Sequence, residues 1–407
     1  MKACVFTLGC KMNEVESASL MRGLEERGFE VTDELGFAEL YLLNTCAVTA
    51  EAEKKSRQAI TRMRKFNPSA KIIVLGCAAE RDAEEFAKRE NVALVTGAQN
   101  KSKILDMLQE NGIFCENESA FSELPSPKRT KTRAFVRIQD GCNRFCSYCV
   151  IPYLRGRSRS RSIEHILEEV KNSEAKEIVL TGIDMSSYRD GNNDLAALLT
   201  ALSGTHARIR LGSLEAGIIS EEFLKSMQAA GNVVEHFHLS LQSGSSKVLK
   251  NMNRHYTREE YLACCKKIYE IFPNAAITTD IIVGYPTETE EDFLESLSII
   301  EEAGFARIHC FPYSARPRTV SSKLKDLPSA VKKERMGRIT AAAKNAQQKY
   351  IEKFFGQELT VLFEDDGGYS ENYIRVYAAG AREGDLCRVR LTDFEKDGAK
   401  AEILEVL

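Results

Sequence analysis

Residues 139–149 read QDGCNRFCSYC, and the three cysteines in this stretch decide how the rest of the chain is interpreted. Cys142, Cys146 and Cys149 follow the spacing C-x3-C-x2-C, with an aromatic residue before the last cysteine. Cys thiolates are the usual ligands of a four-iron cluster, and this triplet supplies three of the four needed. The spacing therefore predicts a [4Fe–4S] cluster with one iron open to a reacting molecule. A structural zinc site is the alternative, but it wants a fourth Cys or His, and none lies within 15 residues.

The composition is that of an ordinary folded protein with reduced thiols. The chain has 407 residues, 43% of them hydrophobic and 28% charged, with a net charge of −3. This length allows two or three domains. The N-terminus reads as a first strand and not as a signal peptide, and no apolar run is long enough to span a bilayer. Twelve cysteines in such a chain indicate metal chemistry and not disulfides, so we expect a cytoplasmic protein without membrane contact.

Strands and helices alternate through the first hundred residues, which predicts a doubly wound parallel sheet. The predicted strands are Ala3–Leu8, Glu39–Asn44 and Lys71–Leu75. Each is followed within three residues by a cysteine, at Cys10, Cys46 and Cys77. Because the carboxyl ends of parallel strands meet at one edge of the sheet, these three thiols should come together. They predict a second metal site, again with three ligands and one open iron. The other six cysteines are expected to be core or incidental thiols.

Six further strand–helix units predict a central, partial (β/α)6 barrel. The predicted strands are Ala134–Gln139, Glu177–Gly182, Arg208–Leu214, His236–Gln242, Ala276–Gly284 and Arg307–Tyr313. The cysteine loop follows the first strand, on the face where barrel chemistry takes place. Polar or small residues at the later strand ends would surround the ligand of the open iron, although each alone is more often a cap or turn residue. They are Thr181, Gly182, Asp184, Ser213, Glu215, Gln242, Ser243, Asp280, Gly284 and Tyr313.

Charge is unevenly distributed along the chain. Between Lys128 and Arg161 there are ten basic residues and one acid, Asp140. Such a patch attracts phosphate backbones; the alternative is a solvated linker with anion-binding arginines. The tail from Gly356 is predicted to form a small β-barrel, yet it carries twelve acidic and six basic residues. Phosphate attraction to the tail should therefore be weak, unless one face collects its arginines.

Several motifs resemble one enzyme family. The cysteine triplet resembles the radical S-adenosylmethionine (SAM) signature. TLGCKMN at 7–13, NTC at 44–46 and GC at 76–77 resemble the N-terminal domain of methylthiotransferases, and RG at 155–156, QSGS at 242–245 and TDIIVG at 279–284 match that family as well. NTCAVT at 44–49, KKSRQ at 54–58 and SLE at 213–215 look most like its branch acting on threonylcarbamoyladenosine in tRNA.

The resemblance implies a domain order and a set of cofactors. It implies a methylthiotransferase N-terminal domain with an auxiliary cluster (1–118), a linker (119–130), a radical SAM barrel (131–330), a helical linker (331–355) and a TRAM-like RNA-binding β domain (356–407). Two [4Fe–4S] clusters and SAM are the implied cofactors, with SAM bound by the ten strand-end residues above. The partners would be the tRNA anticodon loop, an electron donor such as flavodoxin or ferredoxin, and an unidentified sulfur donor. The expected RNA-binding residues are Lys54, Lys55, Arg57, Arg155, Arg157 and Arg161.

The implied reaction inserts a methylthio group at C2 of the modified adenine next to the anticodon, through a 5′-deoxyadenosyl radical made from SAM. That base must leave the anticodon-loop stack to be reached. Two alternatives keep the chemistry and change the substrate, to isopentenyladenosine in tRNA or to a ribosomal protein. A third alternative is a metal-containing RNA-binding protein without catalysis.

Overall fold

The computed structural model describes residues 1–48, 50–127 and 132–407, which form two compact units. The first contains the described residues of 1–128 together with 137–161 and 314–322. The second contains those of 129–136 together with 162–313 and 323–407. The cysteine loop at 142–149 thus belongs to the unit of the N-terminal sheet, on the other side of the predicted boundary at residue 131. In the described part of the chain, no helix is long and apolar enough to cross a membrane.

A six-stranded, entirely parallel sheet forms the core of the first unit, which confirms the doubly wound domain. Its strands are β1 (Lys2–Thr7), β2 (Glu30–Thr32), β3 (Leu40–Thr45), β4 (Lys71–Gly76), β5 (Val92–Thr96) and β6 (Gly112–Phe114), in the order β2-β1-β3-β4-β5-β6. The helices are α1 (Lys11–Glu26), α2 (Ala50–Phe66), α3 (Cys77–Arg81) and α4 (Ala83–Ala87), with a 3₁₀ turn at Lys101–Asp106. Both faces of the sheet are covered, as parallel sheets require: Tyr41 and Leu43 of β3 face one core and Leu40 and Leu42 the other.

The cysteine loop is closed at its base by a short antiparallel pair. After β7 (Arg133–Arg137), β8 (Gln139–Asp140) precedes the loop, α5 (Ile151–Arg155) follows it, and β9 (Arg159–Ser160) pairs with β8. Val150 and Leu154 are buried in the same hydrophobic core as β3 and β4. This packing is the physical reason that the loop belongs to the first unit.

The barrel strands of the second unit form two sheets, β11-β10-β7 and β12-β13-β14-β15. They are β10 (Glu177–Thr181), β11 (Arg208–Leu211), β12 (Ser213–Leu214), β13 (His236–Leu239), β14 (Ala276–Val283) and β15 (Arg307–Pro312). The helices are α6 (Ile163–Asn172), α7 (Leu195–Ala201), α8 (Glu221–Ala230), α9 (Ser246–Asn251), α10 (Arg258–Ile271) and α11 (Glu290–Ala303). The strand predicted at 208–214 is interrupted at Gly212: β11 pairs with β10, and β12 pairs with β13. One interrupted strand thus joins the two sheets, and the partial (β/α)6 barrel is confirmed.

The chain ends in a long helix and a closed β-barrel. Helix α12 (Ser329–Glu352) lies where a helical linker was predicted. The barrel consists of β16 (Glu358–Glu364), β17 (Gly367–Ser370), β18 (Arg375–Tyr377), β19 (Leu386–Glu395) and β20 (Gly398–Val406). The predicted small β-barrel is confirmed. Strand β17 was not predicted, because its sequence Gly-Gly-Tyr-Ser reads as a turn.

Candidate metal centres

The three strand-end cysteines of the first unit lie at the carboxyl edge of the sheet. Cys10 follows β1, Cys46 follows β3, and Cys77 begins α3 directly after β4. Because β3 is hydrogen-bonded between β1 and β4, the three strand ends are neighbours. A Cβ added to Gly9, which has φ +113°, would lie 2.6 Å from Cβ and 2.8 Å from Sγ of Cys46. The backbone before Cys10 is therefore packed directly against the Cys46 side chain.

Two buried polar side chains tie these strand ends together. Asn13 Nδ2 donates to the carbonyl oxygens of Leu8 (2.8 Å) and Thr45 (3.0 Å). Thr45 Oγ1 donates to the carbonyl oxygen of Leu75 (2.7 Å) and accepts from the N–H of Ala79 (3.0 Å). We did not predict either role. The only sequence signal was that both residues occur inside the cysteine motifs at 7–13 and 44–46.

Two thiols of this trio, Cys46 and Cys77, are buried, whereas Cys10 is exposed. Burial raises the pKa of Cys46 to about 11, and the neighbouring Cys77 and Cys10 add to the rise. Burial likewise raises the pKa of Cys77, and the Arg155 and Lys101 cations oppose that rise. Such thiols stay protonated until a metal replaces the proton.

Backbone hydrogen bonds fix the conformation of the loop that carries the second trio. The N–H of Cys142 donates to the carbonyl oxygen of Gly156 (3.1 Å), and the N–H of Cys149 donates to that of Cys146 (2.9 Å). The N–H of Arg144 lies 3.4 Å from Cys142 Sγ, where it can donate to a thiolate. Gly141 has φ +71°, and a Cβ there would lie 2.0 Å from the carbonyl oxygen of Arg157. Only glycine fits this entry to the loop.

A buried guanidinium connects the segments that carry the two trios. The Arg155 side chain has no solvent exposure. Its Nη1 donates to Asp140 Oδ1 (2.9 Å) and Glu16 Oε1 (3.0 Å), and its Nη2 donates to Asn13 Oδ1 (2.9 Å) and Glu16 Oε2 (3.1 Å). Asn13 and Glu16 belong to α1, the helix after Cys10, and Asp140 accepts from the N–H of Gly141 (2.8 Å), next to Cys142.

This network carries full charges although it is buried. Lys101 and Arg137 also pair with Glu16, and Arg159 pairs with Asp140. Burial alone would raise the pKa of Glu16, but Arg155, Lys101 and Arg137 hold it at about 2. Glu16 is therefore an anion at neutral pH.

The donor chemistry of both trios fits iron–sulfur clusters. Three thiols without a carboxylate or imidazole are soft ligands, which iron–sulfur clusters select. Gly9 and Gly76 let the backbone beside the first trio pack closely, because a Cβ on Gly9 would clash with Cys46 and a Cβ on Gly76 would lie 2.6 Å from the carbonyl oxygen of Thr45. Within the ranges described, no three His, Cys, Asp or Glu side chains are gathered around the position of a single metal ion.

The ten residues expected to bind SAM all belong to the second unit; Asp280 lies inside β14, and the others lie at or just after the ends of β10, β12, β13, β14 and β15. Asp280 is partly exposed, and its Oδ2 lies 3.4 Å from Nε2 of His238. Glu215 forms an ion pair with Arg254 (2.6 Å). Gln242 has φ +73°, and its N–H donates to the carbonyl oxygen of Asp280 (2.8 Å).

Packing restricts the space around two of these ten residues. Ser243 is fully buried, with its hydroxyl 3.4 Å from that of Ser296, so its side chain is enclosed by α11. A Cβ on Gly284 would lie 2.3 Å from Cγ of Lys332, so this glycine accommodates a helix side chain. Of the others, Thr181, Asp184 and Tyr313 are buried, Ser213 is exposed, and Gly182 is half-buried.

The residues expected to bind RNA divide into exposed and buried groups. Lys54 and Lys55 are exposed on α2, Arg57 is half-buried there, and Arg157 is exposed with its guanidinium 4.8 Å from the centre of the Phe145 ring. Arg155 belongs to the internal network described above. Arg161 is largely buried and pairs with Glu123 (2.9 Å). The charges of both arginines are thus paired inside the protein in this structure.

In the folded protein, most of the described basic residues between Lys128 and Arg161 are neutralised by ion pairs. Lys128, Arg129 and Lys131 lie outside the described residues. Most of the others are paired with acids from distant segments: Arg133 with Glu177 and Glu364, Arg137 and Arg155 with Glu16, and Arg161 with Glu123. The count along the chain therefore overstated the charge available to a nucleic acid.

The acidic tail neutralises its own arginines in the same way. Arg390 pairs with Glu358 (2.8 Å), Arg388 with Glu405, and Arg375 with Asp366 (2.5 Å). These pairs lie at different places on the closed barrel, between β16 and β19, between β19 and β20, and beside β18. The alternative in which one face of the tail collects its arginines for RNA gains no support from them.

Family models match two parts of the chain. Residues 136–300 match the radical SAM superfamily, and residues 2–97 match the uncharacterized protein family UPF0004. Among solved structures, the radical SAM methyltransferase TsrM from Kitasatospora setae has the same fold, with a TM-score of 0.56 and 14% identity. This likeness covers 79% of this chain and 76% of that protein.

Curated relatives match almost the entire chain. A threonylcarbamoyladenosine tRNA methylthiotransferase of Aquifex aeolicus is 39% identical over 408 residues, which is 96% of this chain and 100% of that protein. The protein of the same name from Bacillus subtilis is 34% identical, covering 95% of this chain and 92% of its own length. A tRNA-2-methylthio-N(6)-dimethylallyladenosine synthase of Staphylococcus aureus is also 34% identical, but only 82% of its length is covered.

Proposed function

Because this chain belongs to the radical SAM methylthiotransferase family, we propose that it inserts a methylthio group at C2 of threonylcarbamoyladenosine next to the anticodon of tRNA. The observation that carries the proposal is the 39% identity over the full length of a threonylcarbamoyladenosine tRNA methylthiotransferase. The chain is an enzyme of this family, and its cofactors are SAM and [4Fe–4S] clusters.

We assign one cluster to each cysteine trio. Cys142, Cys146 and Cys149 would hold the cluster that binds SAM, and Cys10, Cys46 and Cys77 the auxiliary cluster. When bound, the clusters would supply one-electron cleavage of SAM and a site for the transferred sulfur. The protein's part is to hold the two loops in place through Asn13 and Arg155 and to keep water away from buried Cys46 and Cys77.

The contacts to SAM and tRNA are proposals at the level of residues. Asp184 and Gln242 follow the carboxyl ends of barrel strands, where barrel ligands bind, and Asp280 is a partly exposed carboxylate inside β14. Lys54, Lys55 and Arg157 are exposed cations of the first unit that suit phosphate contacts. The reaction would also need an electron donor, such as flavodoxin or ferredoxin, and a sulfur donor. We place the reaction in the cytoplasm, where tRNA is modified.

Replacement of Cys46 by alanine separates the two cluster roles. We expect Cys46→Ala to retain reductive SAM cleavage, because the other trio is intact, and to lose methylthio transfer. The readouts are 5′-deoxyadenosine formed with dithionite and mass spectrometry of nucleosides from digested tRNA. Cys115→Ala, which alters a thiol outside both trios, is the control and should retain both activities. Methylthiolated nucleoside made at the normal rate by Cys46→Ala would refute the assignment of the auxiliary site.

The choice of substrate needs a separate measurement. Purified enzyme would be given tRNA carrying threonylcarbamoyladenosine, the same tRNA lacking the threonylcarbamoyl group, and tRNA carrying isopentenyladenosine. We expect methylthio product from the first alone. Product from the isopentenyl substrate alone would instead place the chain with the dimethylallyladenosine synthases, as the relative in Staphylococcus aureus is named.

A further inference from the structure

The internal network around Arg155 contains more positive than negative charge. Four cations and two carboxylates belong to it, and each of these side chains is at most 8% exposed. The cations are Lys101, Arg137, Arg155 and Arg159, and the carboxylates are Glu16 and Asp140. An uncompensated buried charge is costly. The excess of cations therefore points to an anionic group that belongs beside the network.

One donor of Arg155 is also left over. Its two terminal nitrogens make four hydrogen bonds, but the buried Nε–H has no partner among the described residues. Buried donors of this kind are normally satisfied. A cluster sulfur or a cysteine thiolate is an acceptor that the folded chain by itself does not supply.

The auxiliary trio is the anionic group that the surroundings identify. Three thiolates around a [4Fe–4S] core leave a net negative charge. Asn13 binds Arg155 and also the backbone that leads into Cys10 and Cys46.

We propose that Arg155 is a positioning residue for the auxiliary cluster, which it stabilises in the reduced form through its buried charge and its Nε–H donor. The proposal rests on the cluster assignment made above. Cluster potentials depend on nearby charge and on hydrogen bonds to sulfur, so loss of the cation should make reduction harder. Glu16 has the opposite sign and should have the opposite effect.

The test measures the auxiliary cluster alone. In the full chain carrying Cys142→Ala, Cys146→Ala and Cys149→Ala, only the Cys10, Cys46 and Cys77 site can load, and its midpoint potential is read by redox titration with EPR detection. Arg155→Gln should shift the midpoint to a more negative potential, and Glu16→Gln to a more positive one. Arg155→Lys retains the charge and should recover most of the shift.

Two further variants control for structural damage. Arg159→Gln removes another buried cation, 4% exposed and bound to Asp140, and it should shift the potential less than Arg155→Gln does. The pair Glu16→Gln with Arg155→Gln leaves no unpaired charge between these positions. If Arg155→Gln does not fold, the double variant is compared with the single variant Glu16→Gln. The double variant should then have the more negative midpoint potential.

The outcomes separate this inference from the proposed function. A loaded cluster whose midpoint does not move in Arg155→Gln, or moves equally in Arg159→Gln, would overturn the role of Arg155 and leave the function intact. A parent protein that binds no iron at Cys10, Cys46 and Cys77 would overturn the cluster assignment and this inference together.

Discussion

Gly9 shows how a single residue position controls the auxiliary site. Its φ of +113° is accessible to glycine, and its missing Cβ leaves room for the Cys46 side chain. The side chains of Asn13 and Thr45 then connect the ends of the three strands by hydrogen bonds to backbone carbonyl oxygens. At this scale the geometry around the three strand ends depends on small and buried residues as much as on the cysteines themselves.

Substitution of Gly9 should therefore remove one cluster and retain the other. Gly9→Ala places a methyl group 2.6 Å from Cβ of Cys46, which must displace that side chain. We expect the iron content of reconstituted protein to fall from about eight to about four atoms per chain, because each cluster has four irons. Iron and sulfide analysis measures this.

Gly28→Ala is the matched control for this change. Gly28 has a similar positive φ of +84°, but a Cβ there meets nothing within 4 Å. The variant bears the same kind of backbone strain without the clash, and it should retain about eight irons. Equal iron contents in both variants would show that backbone strain, and not the contact with Cys46, explains any loss.

At the scale of elements, Gly212 marks the point where one barrel strand changes its pairing partner. The N–H of Gly212 donates to the carbonyl oxygen of Leu180 (3.0 Å), and the strand then changes partners from β10 to β13. The hydrophobic pattern of 208–214 reads as one strand and contains no sign of this change. Pairing partners come from elsewhere in the chain, so a local pattern identifies a strand without showing where its partner changes.

The whole second unit contains another buried charge cluster, centred on Glu177 of β10. This carboxylate is fully buried and pairs with Arg133 (2.6 Å), Arg208 (2.6 Å) and Arg210 (2.8 Å). Arg208 and Arg210 also donate to the carbonyl oxygens of Tyr369 (2.8 Å) and Ser370 (2.9 Å) in β17. The cluster thus joins the (β/α)6 barrel to the C-terminal β-barrel within one compact unit.

Loss of this carboxylate should weaken the entire unit. Glu177→Gln leaves buried Arg208 and Arg210 without this anion and Arg133 with Glu364 alone, and removal of one partner from such a cluster costs about 3–5 kcal/mol. We expect a lower urea midpoint, followed by far-UV circular dichroism. Burial alone would raise the pKa of Glu177, but the arginines lower it well below its ordinary value. The stabilisation is therefore present above the unfolded pKa of glutamate and is lost as the pH falls through the folded one.

Glu221→Gln is the control for the stability measurement. Glu221 pairs with Lys225 at 2.5 Å one helical turn away, but both side chains are exposed and water screens the pair. Its urea midpoint should equal that of the parent. Equal midpoints for Glu177→Gln and the parent would show that the cluster does not hold the two barrels together.

The sequence by itself determined the chemistry. The spacing of Cys142, Cys146 and Cys149, and the placement of Cys10, Cys46 and Cys77 after parallel strands, are local patterns that follow from ligand geometry and strand periodicity. The alternation of strands and helices predicted the fold class, and the resemblance of the motifs around these cysteines and in the barrel indicated the family and its cofactors.

Only the tertiary structure decided which charges remain available. Arg155 and Arg161 read as part of a basic surface, but Glu16 and Glu123 reach them from distant positions and bury them. A charge count along the chain sees neighbours in sequence, whereas electrostatic energy depends on neighbours in space and on exclusion of water. For that reason the ion-pair partners of each arginine could be identified only from the tertiary structure.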